Sequence, residues 1–188
     1  VTYRPITDVM ILARPKHKYY GAYPAGFVER GRLMLGAQID EPILHVCSGR
    51  VRDYPFAGVG PNDKTVDIDA KTSPDYVMDV RECLPLQRDT RKKWSAMMVD
   101  TPYSQAEAAN YRAGSAAYPE PGPLLKLCLE HTRPGGRVGF LHWLWPSPPK
   151  MVDGCVIKEV FVALVTTGRG ARARHYVVFE KCVGRAKR

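Results

Sequence analysis

The run Met97-Met98-Val99-Asp100-Thr101-Pro102-Tyr103-Ser104 constrains this chain more than any other stretch. An apolar segment ends abruptly in a carboxylate, a proline and an aromatic ring. In an open α/β sheet, ligands bind in the crevice at the carboxyl ends of the strands. A strand ending in Asp-Thr-Pro-Tyr places an acceptor, a rigid turn and a stacking face at that crevice. Those parts suit a planar, amino-bearing group such as a nucleobase. They equally fit a strand followed by a proline turn with a surface acid, so the rest of the chain has to decide.

Several apolar runs with turn chemistry between them accompany that strand. Pro24 to Gly36 reads as a helix, with Pro24 near its first turn and Gly36 as its stop. Residues 42–49 read as a buried strand with a small-residue turn, Cys47-Ser48-Gly49. The next stretch, 49–63, holds Pro55, Gly58, Gly60 and Pro61 and has room for little helix, so the first crossover is reduced. Lys64 to Asp69 is a short β-branched strand ending in acids, and Asp75 to Val80 is a third strand-like run. Trp94 to Val99 is the fourth strand and delivers Asp100. Residues 104–123 read as a loop with a helical start, long enough to be functional or simply a surface loop. Leu124 to His131 is a short amphipathic helix, Arg133 to Gly136 a turn, and Arg137 to Trp143 a fifth strand. Val156 to Val165 and His175 to Glu180 close the pattern as a hairpin. The expectation is an α/β, Rossmann-like fold: a mostly parallel seven-stranded sheet with a C-terminal antiparallel hairpin. We expect one domain over residues 1–188, with a basic N-terminal segment and helix (1–36) and a basic tail (181–188).

The chain's 188 residues suit one domain with a single core. Cys47, Cys83, Cys128, Cys155 and Cys182 are widely spaced, odd in number and form no C-x-x-C pair, and the five histidines are scattered. Neither a disulfide framework nor a metal site is expected. No apolar run approaches the roughly 18 residues of a membrane span, and the N-terminus lacks a signal-peptide pattern. An intracellular, cytoplasmic location away from membranes follows as an expectation. Lys and Arg number 28 against 19 Asp and Glu, a formal charge of +9, which favours a polyanionic partner, nucleic acid first.

With its strand count, its small-residue turn after the first buried strand and its acids after the next two, the chain resembles class I methyltransferases that use S-adenosylmethionine. More narrowly it is similar to the amino-group DNA methyltransferases, whose motif is (Asp/Asn/Ser)-Pro-Pro-(Tyr/Phe/Trp). Here that motif stands as Asp100-Thr101-Pro102-Tyr103, with Thr in place of the first Pro. The likeness covers about residues 40–180, and Tyr19 to Leu35 resembles a segment preceding the cofactor motif in some members. Short phage and bacterial proteins of this type carry a similar Pro-Gly-Gly-Arg turn followed by Leu-His-Trp, here Pro134 to Arg137 and Leu141-His142-Trp143; a phage-encoded origin is therefore one expectation.

The resemblance implies a role for each matching residue. His45, Cys47, Ser48 and Gly49 correspond to the first cofactor loop, where glycine lets backbone approach the ligand; the family has more glycines there than this chain's single Gly49. His45 also fits a core-edge histidine. Asp67 corresponds to the acid that accepts from the cofactor ribose, with Asp69 as a competitor, and Ile68 to the residue against the adenine. Asp79 and Val80 match the third-strand pair at the adenine amino group, although Asp79 also fits a turn cap. Asp100 and the Thr101 carbonyl would accept from the target amino group, Pro102 would shape the turn, and Tyr103 would stack on the base. Ser104, Tyr111, His142 and Trp143 are candidate substrate contacts; the last two also suit a core. Arg169, Arg172, Arg174, Arg185, Lys187 and Arg188 are candidate phosphate contacts.

The function this implies is transfer of a methyl group from S-adenosylmethionine to a nucleobase amino group, DNA adenine N6 first and cytosine N4 next. Target recognition would be minimal or supplied by a protein partner. An RNA base methyltransferase and a catalytically silent binding protein are the alternatives.

Overall fold

The computed structural model describes residues 4–13, 23–53, 58–87, 92–111, 118–167 and 173–183. Nine strands and three α-helices are present among them: β1 (Ile6–Ile11), α1 (Phe27–Leu35), β2 (Ile43–Val46), β3 (Lys64–Asp67), β4 (Tyr76–Val77), β5 (Trp94–Asp100), α2 (Gln105–Ala108), α3 (Pro121–Glu130), β6 (Thr132–His142), β7 (Met151–Val152), β8 (Cys155–Thr166) and β9 (Arg174–Lys181). None of these helices is long and apolar enough to cross a membrane.

The main sheet runs β1-β8-β9-β6-β5-β2-β3-β4, with β7 paired to β8. Every pairing on the main path is parallel except those of β9, which lies antiparallel between β6 and β8. Chain order reverses between β2 and β5: β3 and β4 continue outward on one side, β6 on the other. That reversal opens a crevice at the carboxyl ends of β2 and β5, the point where Asp100 was expected.

Two cores flank the sheet. On one face α1 packs Phe27, Val28 and Leu35 against Ile43, Ala96, Met98, Leu141, Tyr176 and Val178. On the other, α3 packs Leu124, Leu125, Cys128 and Leu129 against Leu44, Met97, Val99, Val138, Phe140 and Val177. β2 is buried along its whole length, as a central parallel strand covered on both faces must be.

The expected α/β sheet with its closing hairpin is present, and the differences have local causes. β1 was not anticipated: it is an exposed edge strand, with Asp8 in its middle, added parallel to β8. The two-residue β7 was also missed. The helix expected from Pro24 begins at Phe27, because Gly26 has φ 80 and Ala25 bridges Ala13; Gly36, at φ 70, ends it as expected. The third strand shrinks to Tyr76–Val77, since Pro74 and the Asp79 turn leave little room to pair. Residues 133–136 do turn, but inside β6: Trp94 pairs with Thr132 and Ala96 with Arg137, so these four residues stand opposite the single Ser95. The hairpin turn at 168–172 lies outside the described residues.

The first crossover is reduced, and its replacement is visible. A single 3-10 turn, Val51–Asp53, follows β2. The chain then returns along α1 so closely that a Cβ on Gly58 would stand 2.4 Å from the Glu29 backbone. Asp63, just before β3, clamps this return. Its carboxylate accepts from the Arg32 guanidinium on both oxygens, from the amides of Ile43 (3.0 Å) and Gly60 (2.8 Å), and pairs with His45 Nε2 at 3.0 Å. Arg32 sends its other donors to the carbonyls of Gly58 (2.6 Å), Gln38 (2.7 Å) and Glu41 (3.0 Å). Burial works to raise the Asp63 pKa, but the bonds from His45 and Arg32 outweigh it and hold it below the ordinary value.

Candidate functional site

The crevice begins with Cys47, immediately after β2. Cys47 takes a left-handed backbone (φ 55), as does Gly49 (φ 48). Space beside Gly49 is open where a Cβ would point. Between them Ser48 is buried, and its Oγ has no hydrogen-bond partner among the described residues. A buried hydroxyl without a partner beside open, left-handed backbone fits a ligand that rests on main chain and supplies polar atoms of its own. The residues expected as the first cofactor loop therefore include a suitable cradle.

His45 is the exception. Its side chain is fully buried and paired to Asp63, one strand residue back from the loop. It belongs to the Arg32–Asp63 network through Nε2, the core-edge place that was one of its two expected readings, while its buried Nδ1 has no partner among the described residues.

The end of β3 supplies Asp67. One carboxylate oxygen accepts the Gly49 amide (2.8 Å) and the other the Asp69 amide (2.9 Å). Each oxygen keeps a further lone pair, and burial raises the carboxyl pKa. Asp69 instead caps the short turn Ala70–Thr72 through the Lys71 amide. The choice between the two acids thus favours Asp67. Ile68 between them leaves 40% of its surface exposed, as a platform for a planar ring requires.

Asp79 follows β4. Both its oxygens are taken by Arg81, through Nε (3.0 and 3.1 Å), Nη2 (2.6 Å) and the backbone amide (2.9 Å), and that partner lowers its pKa. The turn-capping geometry is therefore present. Val80 packs its side chain into the α3 core, which leaves only its backbone for a ligand. These acids nevertheless converge. Burial pushes the Cys47 thiol pKa well up, and the charges of Asp67, Asp100 and Asp79 push it further, so all three carboxylates act on this one side chain.

Asp100 closes the far wall. Its carboxyl pKa is pushed up to about 6, by burial above all, with Arg174 and Tyr103 acting against the rise. Oδ1 accepts from the Tyr103 hydroxyl at 2.9 Å, and that hydroxyl in turn accepts from Arg174 Nη1 at 3.0 Å. The Arg174 guanidinium carbon stands 5.9 Å from the Tyr103 ring centroid. His142 meets the same ring edge-on at 5.3 Å and Trp143 tilts against it at 5.0 Å. Thr101 is buried, its Oγ1 3.1 Å from the Pro102 carbonyl. Asp100, Pro102, Tyr103, His142 and Trp143 thus form one group, although Tyr103 is no free stacking surface: its hydroxyl is held at both ends and its ring is already packed.

Burial lowers the His142 pKa, and its Nδ1 accepts the Leu144 amide at 2.9 Å. Ser104 spends its hydroxyl on the N-cap of α2, accepting the Glu107 amide at 3.1 Å, while Glu107 reaches back to the Tyr103 amide. The hydroxyl expected to meet substrate is thus engaged in the helix cap. Tyr111 is exposed just past α2, its amide bonded to the Ala108 carbonyl.

Sequence reasoning missed two members of the site. Tyr23, before α1, is buried, stacks on Phe27 at 5.3 Å and feels the charges of Asp100 and Tyr103. Arg174 was read as a phosphate contact; it lies instead against Tyr103. Arg169, Arg172, Arg185, Lys187 and Arg188 lie outside the described residues. No group of His, Cys, Asp or Glu able to hold a metal ion occurs among the described residues.

No protein-family model matches the sequence, and comparison with curated proteins gives no match. Solved structures do match in fold. TrmN from Thermus thermophilus aligns with 82% of this chain at 14% identity and a TM-score of 0.53; the chain spans about half, 48%, of that protein. An rRNA methylase from Streptococcus thermophilus (12% identity, 87% of this chain, all of that one, TM-score 0.48) and the antibiotic-resistance methyltransferase Kmr (14%, 94%, all of that one, 0.46) align more loosely. The likeness to TrmN, the one of these above 0.5, establishes a Rossmann-like methyltransferase fold.

Proposed function

We propose that the protein transfers a methyl group from S-adenosylmethionine to an exocyclic amino group of a nucleobase in nucleic acid, DNA adenine N6 first and cytosine N4 next. The observation that carries this reading is the placement of Asp67, Asp79 and Asp100 at or just after the carboxyl ends of β3, β4 and β5, beside the reversal between β2 and β5. When bound, S-adenosylmethionine supplies an electrophilic methyl group on a positively charged sulfur. Three carboxylates suit that charge. Asp67 would hold the ribose hydroxyls with its remaining lone pairs, Ile68 would lie against the adenine, the Val80 backbone would meet the adenine edge, and Ser48 and Gly49 would meet the amino-acid portion.

Asp100 does the work at the target. Its second oxygen accepts one amino N–H and the Thr101 carbonyl accepts the other, which turns the nitrogen lone pair toward the methyl carbon. Alignment accounts for most of the acceleration, since the nitrogen sheds its proton during or after attack and needs no strong base. Trp143, tilted beside Tyr103, offers the base its aromatic surface; such stacking contributes about 1–3 kcal/mol per base. The formal charge of +9 supports a nucleic-acid substrate. A base within a duplex reaches such a crevice only by leaving the stack.

The test is transfer of labelled methyl from S-adenosylmethionine to mixed DNA and RNA, followed by nucleoside analysis. Methylated deoxyadenosine or deoxycytidine supports the reading as stated. A methylated ribonucleoside moves the substrate to RNA. Absence of both transfer and cofactor binding overturns it and leaves a basic binding protein.

A further inference from the structure

We infer that Arg174 is a positioning residue for the transfer: it fixes the Tyr103 hydroxyl as a donor to Asp100 and keeps the Asp100 carboxyl ionised. This rests on the function proposed above, and it follows from donor counting. A guanidinium has no acceptor, so the phenol oxygen can only accept from Arg174. The phenol owns one proton, and Asp100 Oδ1 is 2.9 Å away on its other side. With Arg174 in place, the hydrogen-bond direction therefore runs from Arg174 through Tyr103 to Asp100, and Oδ1 must be an acceptor. A neutral Asp100 carrying its proton on Oδ1 would face the phenol proton head-on.

The surroundings make this contribution count. Asp100 faces Tyr103 in the turn after β5, Glu107 in α2, Tyr23 before α1 and Cys47 after β2. Each of these is neutral or negative when it titrates, His142 of β6, edge-on to the Tyr103 ring, has its pKa lowered by burial, and among the described residues Arg174, entering from β9, is the cation that acts on the carboxyl. Burial and Glu107 favour the protonated acid, while Arg174 and the Tyr103 bond favour the carboxylate. With Oδ1 occupied by the Tyr103 proton, only the carboxylate leaves Oδ2 as a full acceptor for the amino group, since a proton on Oδ2 would make it a donor. β9 brings Arg174 there by register: Asp100 pairs with Leu141 and Leu141 with Tyr176, so the start of β9 overhangs the crevice.

Two measurements on the full chain test this. The first is the pH profile of kcat/KM for wild type, Arg174→Met and Arg174→Lys. In the wild type the acid limb reports Asp100. Arg174→Met is expected to move that limb up by about one pH unit, since an opposite charge at this range shifts a carboxyl by about 1–3 units, and Arg174→Lys to restore part of the shift. A merely structural role would lower activity at every pH and leave the limb in place, which would overturn the inference.

The second measurement is the titration of the Asp100 carboxyl carbon by NMR, identified by its loss in Asp100→Asn. It needs no turnover, so it judges Arg174 even if no methyl transfer is found and the proposed function fails. An unchanged midpoint in Arg174→Met overturns the inference. If that variant does not fold, Tyr103→Phe takes its place: loss of the bridging hydroxyl is expected to raise the midpoint, and an unchanged midpoint there overturns it equally.

Discussion

Two aspartates are held within this sheet, each beside an arginine and an aromatic donor, and they behave in opposite ways. Asp63 lies toward the amino ends of the strands, 1% exposed, and takes Arg32, His45 and two backbone amides. Asp100 lies at the carboxyl end of β5 and takes the Tyr103 hydroxyl, with Arg174 one step removed. The first carboxyl is held below its ordinary pKa and the second is pushed up to about 6. A buried carboxylate whose lone pairs are saturated is a fastener. One left short of donors is poised to accept them from something else. The contrast separates the part of the molecule that maintains the fold from the part free to do chemistry.

The strongest way to break that contrast is at Asp63. Asp63→Ala leaves Arg32 buried without its partner and is expected to cost about 3–5 kcal/mol, read from denaturant unfolding. A loss under about 1 kcal/mol would show that Arg32 finds other acceptors. Asp100→Asn is expected to do the reverse: methyl transfer falls about 100-fold or more while cofactor binding and stability persist. Retained transfer would remove Asp100 from the reaction. At Asp67, Asp67→Ala is expected to weaken S-adenosylmethionine binding about 10- to 100-fold, the worth of hydrogen bonds to a charged acceptor; calorimetry checks it, and unaltered affinity would point elsewhere for the ribose contact.

The pH dependence of stability sharpens the comparison. Asp63 has a lowered folded pKa, so its contribution is present above the unfolded value of about 3.9 and is lost as pH falls through the folded value. Asp100 has a raised folded pKa, so its ionisation costs stability as pH rises from about 4 to about 6. Thermal unfolding of Asp100→Asn across that window should therefore lack the decline that the wild type shows. The smallest effect belongs to Ser104→Ala, expected to cost about 0.5–2 kcal/mol locally through the α2 cap, visible as faster amide exchange in 105–111 with little change in global unfolding.

Much of the chain was legible because strands announce their own ends. Val99-Asp100, Val66-Asp67 and Val46-Cys47 each join an apolar run to a polar or turn residue, and in a parallel sheet those ends meet at one edge. His45 was left with two readings for a related reason. In a strand buried on both faces, apolar patterning does not tell which side a lone polar residue faces, and its partner Asp63 sits in Pro61-Asn62-Asp63, which reads as an ordinary turn. Arg174 was hidden more deeply. Its place depends on the register of β9 against β6, set by long-range pairing that no local pattern encodes. Ser104 carried a readable signal, Ser-x-x-Glu, for a helix start. β1 carried little, since an edge strand with one buried side chain lacks alternation.

The return of residues 58–63 along α1 has a consequence for how the molecule opens. The amides of Ile43 and Gly60 end on Asp63, and the carbonyl of Gly58 ends on Arg32. Freeing either proton breaks into the buried Arg32–Asp63 pair that ties this segment to α1. In hydrogen-exchange terms, these amides belong with the slowest in the protein and report global unfolding. The Gly49 amide, bound to Asp67 at the crevice, is released by a local movement of the cradle alone. The protein is thus locked at one end of its sheet and able to breathe at the other.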